Sequence, residues 1–374
     1  MRKLEKINKY LWFQEGPGVR KEQYRTEGIK LLNVSNLVNG EIDLSNSDRY
    51  VSVEEGTGKY AHFLCDVGDL IIASSGIKVE YFDKKMGFIE SNHLPLCMNT
   101  STIRFKSISK DVNLRYFMYY LKSEHFKKQL AFNITGSAQL NFGPSHLNKM
   151  EFYLYNLEKQ LEIIKILDEI NNLISYKKKE IEKLDNLIKS QFIEMFGDVE
   201  YNENSIKLEK VAKVSSSHRV FTHEFVNDGI PFYRGTEISE LSEGKQPSDP
   251  YFISLEHYNR IANDDSKPMI GDLLFPSICN KGQVWMVDTE KPFYYKDGRV
   301  LSISPDKKLF NCKYFQYYMR EKLSIEFPKL TAGATFAEFK IFILKDLDIF
   351  VPEINKQNQF AAIVEQIDKS KFIT

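Results

Sequence analysis

The feature that most constrains this chain is that it repeats itself, with two halves that match at an offset of roughly 200 residues. Glu27-Gly28-Ile29-Lys30 reads against Asp228-Gly229-Ile230-Pro231, and Ser47-Asp48-Arg49-Tyr50 against Ser248-Asp249-Pro250-Tyr251. Val67-Gly68-Asp69-Leu70 answers Ile270-Gly271-Asp272-Leu273, and Tyr116-Phe117-Met118-Tyr119-Tyr120 answers Tyr314-Phe315-Gln316-Tyr317-Tyr318. Lys159-Gln160 then answers Lys356-Gln357, and Ile166-Leu167-Asp168-Glu169-Ile170 answers Ile363-Val364-Glu365-Gln366-Ile367. The order is kept throughout, so the chain is two copies of one unit.

Each copy begins with short β-type runs punctuated by Gly, Pro, Asn and Asp, and ends in a helical pattern. The first helical pattern runs from about Glu158 to Phe196, with apolar residues at Ile163, Ile166, Ile170 and Leu173, then Ile181, Leu184, Ile188 and Met195. The spacing is heptad-like, and its phase slips across Tyr176-Lys177-Lys178-Lys179-Glu180 as a stutter does. About 39 residues at 1.5 Å each span about 58 Å, too long to stand alone in water. The expected partner is the second copy's helix, from about Asn355 to the chain end, only about 20 residues long. The fold class expected is α+β, two similar globular domains separated by long paired antiparallel helices. The boundaries are 1–157 for the first domain, 158–200 for the first helix, 201–352 for the second domain and 353–374 for the second helix.

Composition fits this reading: 42% apolar and 27% charged residues belong to an ordinary soluble globular chain. No apolar stretch approaches the roughly 18 residues of a membrane span, and a cytoplasmic location with no membrane partner is expected. The four cysteines, Cys65, Cys97, Cys279 and Cys312, lie far apart and read as small apolar fillers. Lys plus Arg and Asp plus Glu both number 51, which argues against a protein that coats nucleic acid indiscriminately but leaves room for local basic loops.

Searches for chemistry fail on required residues. Gly56-Thr57-Gly58-Lys59-Tyr60 lacks the leading Gly and the hydroxyl residue of a phosphate-binding loop. Asp249-Pro250-Tyr251-Phe252 lacks one proline of the amino-group methyltransferase motif. Asp306 followed by Glu338-Phe339-Lys340 has the residue types of a metal nuclease, but the first copy holds Asn141-Phe142-Gly143 there. No histidine pair has metal-ligand spacing, so neither a catalytic residue nor a metal site is expected.

What the chain offers instead is loops of small, polar and basic residues at corresponding points of both copies. Gly lets a backbone approach closely, Ser and Thr contact phosphates, and Arg, Asn and Gln read base edges. The candidate DNA contacts in the first copy are Gly16, Gly18, Arg20, Ser74, Ser75, Lys78, Ser137 and Gln139. In the second they are Ser217, Arg219, Arg234, Thr236, Asn280, Lys281, Gln283 and Thr335.

Across nearly its whole length the chain resembles the specificity subunit of type I restriction-modification systems. The residues that carry this are Gly28-Ile29 and Gly229-Ile230-Pro231, the two Gly-Asp-Leu strands, Thr135-Gly136-Ser137, Leu184 through Lys189, and the segment from Ser190 to Asp198 that closes the first helix. The resemblance implies two target-recognition domains, each followed by a helix, in a non-catalytic subunit that binds one half of a split double-stranded DNA target with each domain. It implies two methyltransferase subunits docked on the helices, where Ile166, Ile170, Ile181, Leu184, Ile188 and Phe192 are the candidate docking residues, and restriction subunits joined to that core. S-adenosylmethionine, ATP and magnesium then belong to the partners, and this chain binds no cofactor. The rival readings are a self-sufficient nuclease or methyltransferase, and a helical scaffold with degenerate domains. The sequence departs from the family pattern in two places: Leu154-Tyr155-Asn156 lacks the proline of Val351-Pro352-Glu353, and the second helix is short.

Overall fold

The Gly-Asp-Leu segments show why the same unit forms twice. In the computed structural model, which describes residues 3–46, 48–133, 141–200, 204–262, 266–331 and 337–373, both segments make the same turn into a buried strand. Gly68 and Gly271 take φ of 88° and 90°, a conformation only glycine adopts freely. The next carboxylate closes the turn: Asp69 Oδ2 accepts from the Asp66 N–H at 2.9 Å, and Asp272 Oδ2 from the Met269 N–H at 2.8 Å. The apolar runs that follow, Leu70–Ala73 and Leu273–Pro276, are buried along their length.

The chain folds into two units, Met1–Ser175 and Tyr176–Thr374. The division falls inside the long helix, so each unit keeps part of it. In the first unit a four-stranded antiparallel sheet runs in the order Leu11–Glu15, Thr102–Ser107, Leu70–Ala73, Met86–Phe88. The second unit has the same order in Ala212–Ser216, Val300–Pro305, Leu273–Pro276 and Trp285–Met286. The registers agree as well, since Thr102 stands opposite Ala73 and Val300 opposite Pro276.

A second sheet is also shared. Ile29–Leu32 pairs parallel with Leu96–Met98, and Ile230–Tyr233 pairs parallel with Tyr294–Tyr295. Gly28 and Gly229 begin these strands at φ of 124° and 152°, where a Cβ would lie 2.2 Å from the Val51 carbonyl oxygen and 2.4 Å from that of Ile253. No side chain fits at either position. A terminal two-stranded ribbon, Lys3–Lys6 with Glu151–Leu154 or Ser205–Lys207 with Asp348–Phe350, completes each unit.

The long helix runs unbroken from Leu157 to Phe196. Asn156 caps its start, with its Oδ1 accepting from the Lys159 N–H at 3.2 Å. Gly197, at φ 79°, ends it by returning its N–H to the Ile193 carbonyl at 2.9 Å. Its last turns belong to the second unit's core, where Ile188, Phe192 and Phe196 pack with Tyr314, Phe360 and Val364. The C-terminal helix Ile354–Ile373 lies antiparallel to this stretch: Phe192 meets Phe360, ring centroids 5.4 Å apart, and Asp185 meets Lys371 at 2.7 Å. The expected antiparallel pairing is therefore present, within the second unit.

Three of the four cysteines are buried fillers, and Cys312 is half-buried. Cys65, Cys97 and Cys279 are buried, and burial pushes the Cys65 and Cys279 thiols up to about 12 and the Cys97 thiol up to about 11.

Candidate nucleic-acid interface

The loops expected to contact DNA leave the ends of the four-stranded sheets, where backbone geometry fixes their bases. Ser74 and Ser277 occupy the same place, one residue past the buried strand. The Ser74 N–H donates to the Ser101 carbonyl and the Ser277 N–H to the Arg299 carbonyl, both at 2.8 Å. The returning chain then locks onto each serine, Phe142 N–H to the Ser74 carbonyl at 3.0 Å and Phe339 N–H to the Ser277 carbonyl at 2.7 Å. Ser74 is 1% exposed, so its side chain does not reach solvent, and the expected contact is corrected to a structural role. Ser75, next in the chain, sends its hydroxyl to Ser101 Oγ at 2.6 Å.

The other first-unit candidates separate into two kinds. Gly16 is required by the sheet, because a Cβ there would lie 2.0 Å from the Asn99 carbonyl oxygen. Gly18 faces open space, and Arg20 and Lys78 are exposed, Lys78 with Glu80 at 3.6 Å. Ser137 and Gln139 lie outside the described residues.

In the second unit, several candidates are spent on holding their own loops. The Ser217 hydroxyl donates to the Tyr295 carbonyl at 2.5 Å, and Arg219 pairs with Asp297 at 3.1 Å. Gln283 Oε1 accepts from the Lys281 N–H at 3.0 Å, which ties the turn and leaves Asn280 and Lys281 exposed. Arg234 is the most committed residue. Its guanidinium donates to both Glu237 oxygens, at 2.5 and 3.1 Å, and to the Asp249 carbonyl at 3.1 Å, while it lies 4.2 Å over the Tyr251 ring. These bonds, the Glu237 hydrogen bond foremost, raise its pKa further. A guanidinium so engaged anchors the helix Gly235–Ser242 and has no free fork for a base. Thr236 is exposed at the mouth of a groove of about 580 Å³ that Ser277, Ile278, Lys296 and Arg299 also line. Thr335 lies outside the described residues.

Sequence reasoning missed the residues opposite these loops. Arg104, buried in the first sheet, pairs with Asp69 at 3.2 Å and binds Gln14 Oε1 at 2.6 Å and the Leu64 carbonyl at 2.6 Å. It thereby fixes the strand that leads into the Gly16–Arg20 loop. Ser302 takes its place in the second unit, and only the shared register reveals the correspondence.

The carboxylates weighed for metal chemistry are occupied. Lys340 and then Arg299 hold the Glu338 carboxyl below the usual range, and Asp306 Oδ1 accepts from the Lys308 N–H at 2.9 Å in a turn. Among the described residues no group of three or more His, Cys, Asp or Glu could hold a metal, and no helix is long and apolar enough to cross a membrane.

The helix candidates divide by position. Ile166 and Ile170 are about half exposed, and Ile181 is more than one-third exposed. Ile188 and Phe192 are 4% and 2% exposed and Leu184 packs beside them, so these three are corrected from docking residues to core of the second unit. Exposed apolar residues cluster toward the helix start, at Leu161, Ile166, Ile170, Leu173 and Ile174, and Leu187 and Ile193 are exposed further along. The C-terminal helix and the helix Cys312–Thr331 close over Leu184 and Ile188, while Ile163 packs on the first core.

Comparison with known proteins agrees with this arrangement. Residues 16–186 match the model of the type I restriction modification DNA specificity domain. The putative type I restriction enzyme MjaX specificity subunit of Methanocaldococcus jannaschii is 21% identical over 364 residues, 91% of this chain and 80% of that one. The chain carries a match to the type I restriction modification DNA specificity domain and is similar to type I specificity subunits. A second subunit of this family from the same archaeon, that of the type I restriction enzyme MjaVIII, is 26% identical over 184 residues, a match that spans 48% of this chain and 42% of that protein. The fold is shared with the S subunit of a type I restriction-modification system from M. genitalium, at a TM-score of 0.54 and 14% identity over 99% of this chain and 90% of that one. A chain from a structure on complex assembly and conformational transition of a type I system gives 0.56 and 13%, covering 100% and 91%. The matched stretch begins at the loop after the first strand of the four-stranded sheet and runs into the long helix, and the second unit repeats its sheet frame.

Proposed function

We propose that this chain is the subunit that selects the DNA sequence for a type I restriction-modification complex, each unit reading one half of a split target in double-stranded DNA. The observation that carries this reading is one strand-end frame, with the same turns and register, built twice and fitted with different loop side chains. Two like frames with unlike loops suit two unlike half-sites. The helix Leu157–Phe196 sets the spacing between the halves, and its exposed apolar stripe from Leu161 to Ile174 receives methyltransferase subunits, two in the complete complex. Restriction subunits join that core, and the assembly works in the cytoplasm. S-adenosylmethionine, ATP and magnesium serve on the partners, and this chain performs no chemistry of its own.

The test has two arms. The purified chain, incubated with DNA, magnesium, ATP and S-adenosylmethionine, is expected neither to cleave nor to methylate. The complex with its methyltransferase is expected to modify adenines at a motif of two short defined halves around an undefined spacer, mapped on a whole genome. Turnover by the chain alone would establish a self-sufficient enzyme, and modification without sequence preference would establish a scaffold.

A further inference from the structure

The two units carry unlike chemistry at three matching positions. The frame bonds of Ser74 and Ser277 place Ser75 level with Ile278, Ser101 level with Arg299, and Asn141 level with Glu338. In the first unit these positions are small and polar: the Ser75 and Ser101 hydroxyls bond each other, and Asn141 bridges to Ser75 and is exposed. Ser101 sits at φ 67°, which brings its side chain to this cluster at some conformational cost. In the second unit the same positions hold an apolar side chain and an ion pair. Ile278 is 40% exposed, and Arg299 is 53% exposed and meets Glu338 at 2.9 Å. Glu338 is itself held by the Ser277 hydroxyl at 3.3 Å and by Lys340. The frame residues Ser74 and Ser277, and Phe142 and Phe339, are alike and buried, so the frame is kept while these three positions change.

Resting on the DNA-reading role proposed above, we infer that these three positions are a specificity-determining cluster, one copy in each unit. Arg299 presents its guanidinium to guanine O6 and N7, with Glu338 as the positioning residue behind it, and Ile278 presents an apolar face to a thymine methyl group. In the first unit the Asn141 amide suits adenine N6 and N7, and the serine pair supplies hydroxyls that donate or accept. The two half-sites are therefore read by unlike contacts on one scaffold.

The experiment uses the complex of the full chain with its methyltransferase, and scores binding and methylation over a library randomised in both half-sites. Arg299→Ala is expected to relax preference for guanine at one position of the second half-site by roughly 5- to 150-fold, leaving the first half-site unchanged. Asn141→Ala is expected to do the same for an adenine of the first half-site alone. Replacing each thymine of the second half-site by uracil is expected to weaken the parent complex at one position and not to weaken Ile278→Ala. Arg299→Lys keeps the charge beside Glu338 but not the two-pronged donor, so it loses the guanine preference with melting unchanged and serves if the alanine variant unfolds. Folded variants that keep every base preference, or that lose affinity equally on all sequences, overturn the inference while the split motif of the parent complex stands. A parent complex with no split motif overturns the broader reading and this inference with it.

Discussion

Gln160 and Gln357 are buried at the start of two different helices and make the same three hydrogen bonds. Gln160 Oε1 accepts from the Asn113 N–H at 2.9 Å, and its Nε2 donates to the carbonyls of Asp111 at 2.7 Å and Tyr155 at 2.8 Å. Gln357 Oε1 accepts from the Asn311 N–H at 2.9 Å, and its Nε2 donates to Leu309 at 2.8 Å and Pro352 at 2.7 Å. Each glutamine ties the start of one helix to the cap of another, because Asn113 and Asn311 are themselves caps. Leucine at either position would leave three backbone groups unpaired, at about 1 to 3 kcal/mol each. Gln357→Leu is expected to lower the denaturation midpoint of the second unit sharply. Gln357→Glu is expected to do nearly as much, since a carboxylate cannot donate to the two carbonyls. Denaturant titration followed by circular dichroism measures both, and a variant as stable as its parent would show the bonds to be dispensable.

Arg234 is predicted to act on stability before it acts on recognition. Its partner Glu237 is 1% exposed, and Arg234→Met strands that carboxylate in the core at a cost on the order of 3 to 5 kcal/mol. Removing both charges in Arg234→Met with Glu237→Leu is expected to recover most of the loss. Thermal melts of the single and double variants decide the matter. A stable single variant that loses one base preference would instead return Arg234 to the set of reading residues.

The two stretches of the long helix predict opposite phenotypes for the same kind of substitution. Ile166→Asp lies on the exposed stripe and is expected to leave folding intact while weakening methyltransferase assembly at least about tenfold, as a carboxylate enters an apolar contact. Ile188→Asp lies in the second core and is expected to unfold that unit. Light scattering on mixtures with the methyltransferase, run beside melting curves, separates the outcomes. Assembly unaffected by Ile166→Asp would place the docking surface elsewhere.

If the helix sets the spacing of the half-sites, lengthening it must change the target. Four residues inserted among Lys177, Lys178 and Lys179 add about 6 Å, or up to about two base pairs at 3.4 Å each. The heptad phase slips there, and Lys177 makes a partly exposed pair with Glu180 at 3.1 Å, so the insertion disturbs little packing. Mapping the spacer preferred by the folded, assembled variant is the measurement, and a preference that does not move would reject the spacing role.

The repeat, the α+β class and the long helix were legible in the sequence because each rests on local chemistry. Glycine at positive φ, a carboxylate closing a turn and an apolar period are written in consecutive residues, and they came out the same in both units at Gly68-Asp69 and Gly271-Asp272. Sequence also placed loops at corresponding points of both copies, since Gly, Ser and Asn mark them, and the structure puts them at the strand ends. It did not tell Ser74 from Ser75, because adjacent residues of like chemistry divide between core and solvent only when the strand beside them is in register. Nor did it tell Ile166 from Ile188, which share one heptad pattern but differ in what lies across from them. The pairings of Arg234 with Glu237, Arg299 with Glu338, and Gln357 with Asn311 likewise needed the tertiary structure. A short-range pattern fixes which element forms and which way it turns. Whether a polar side chain on it is free to meet a ligand depends on which other groups the fold brings within hydrogen-bonding distance.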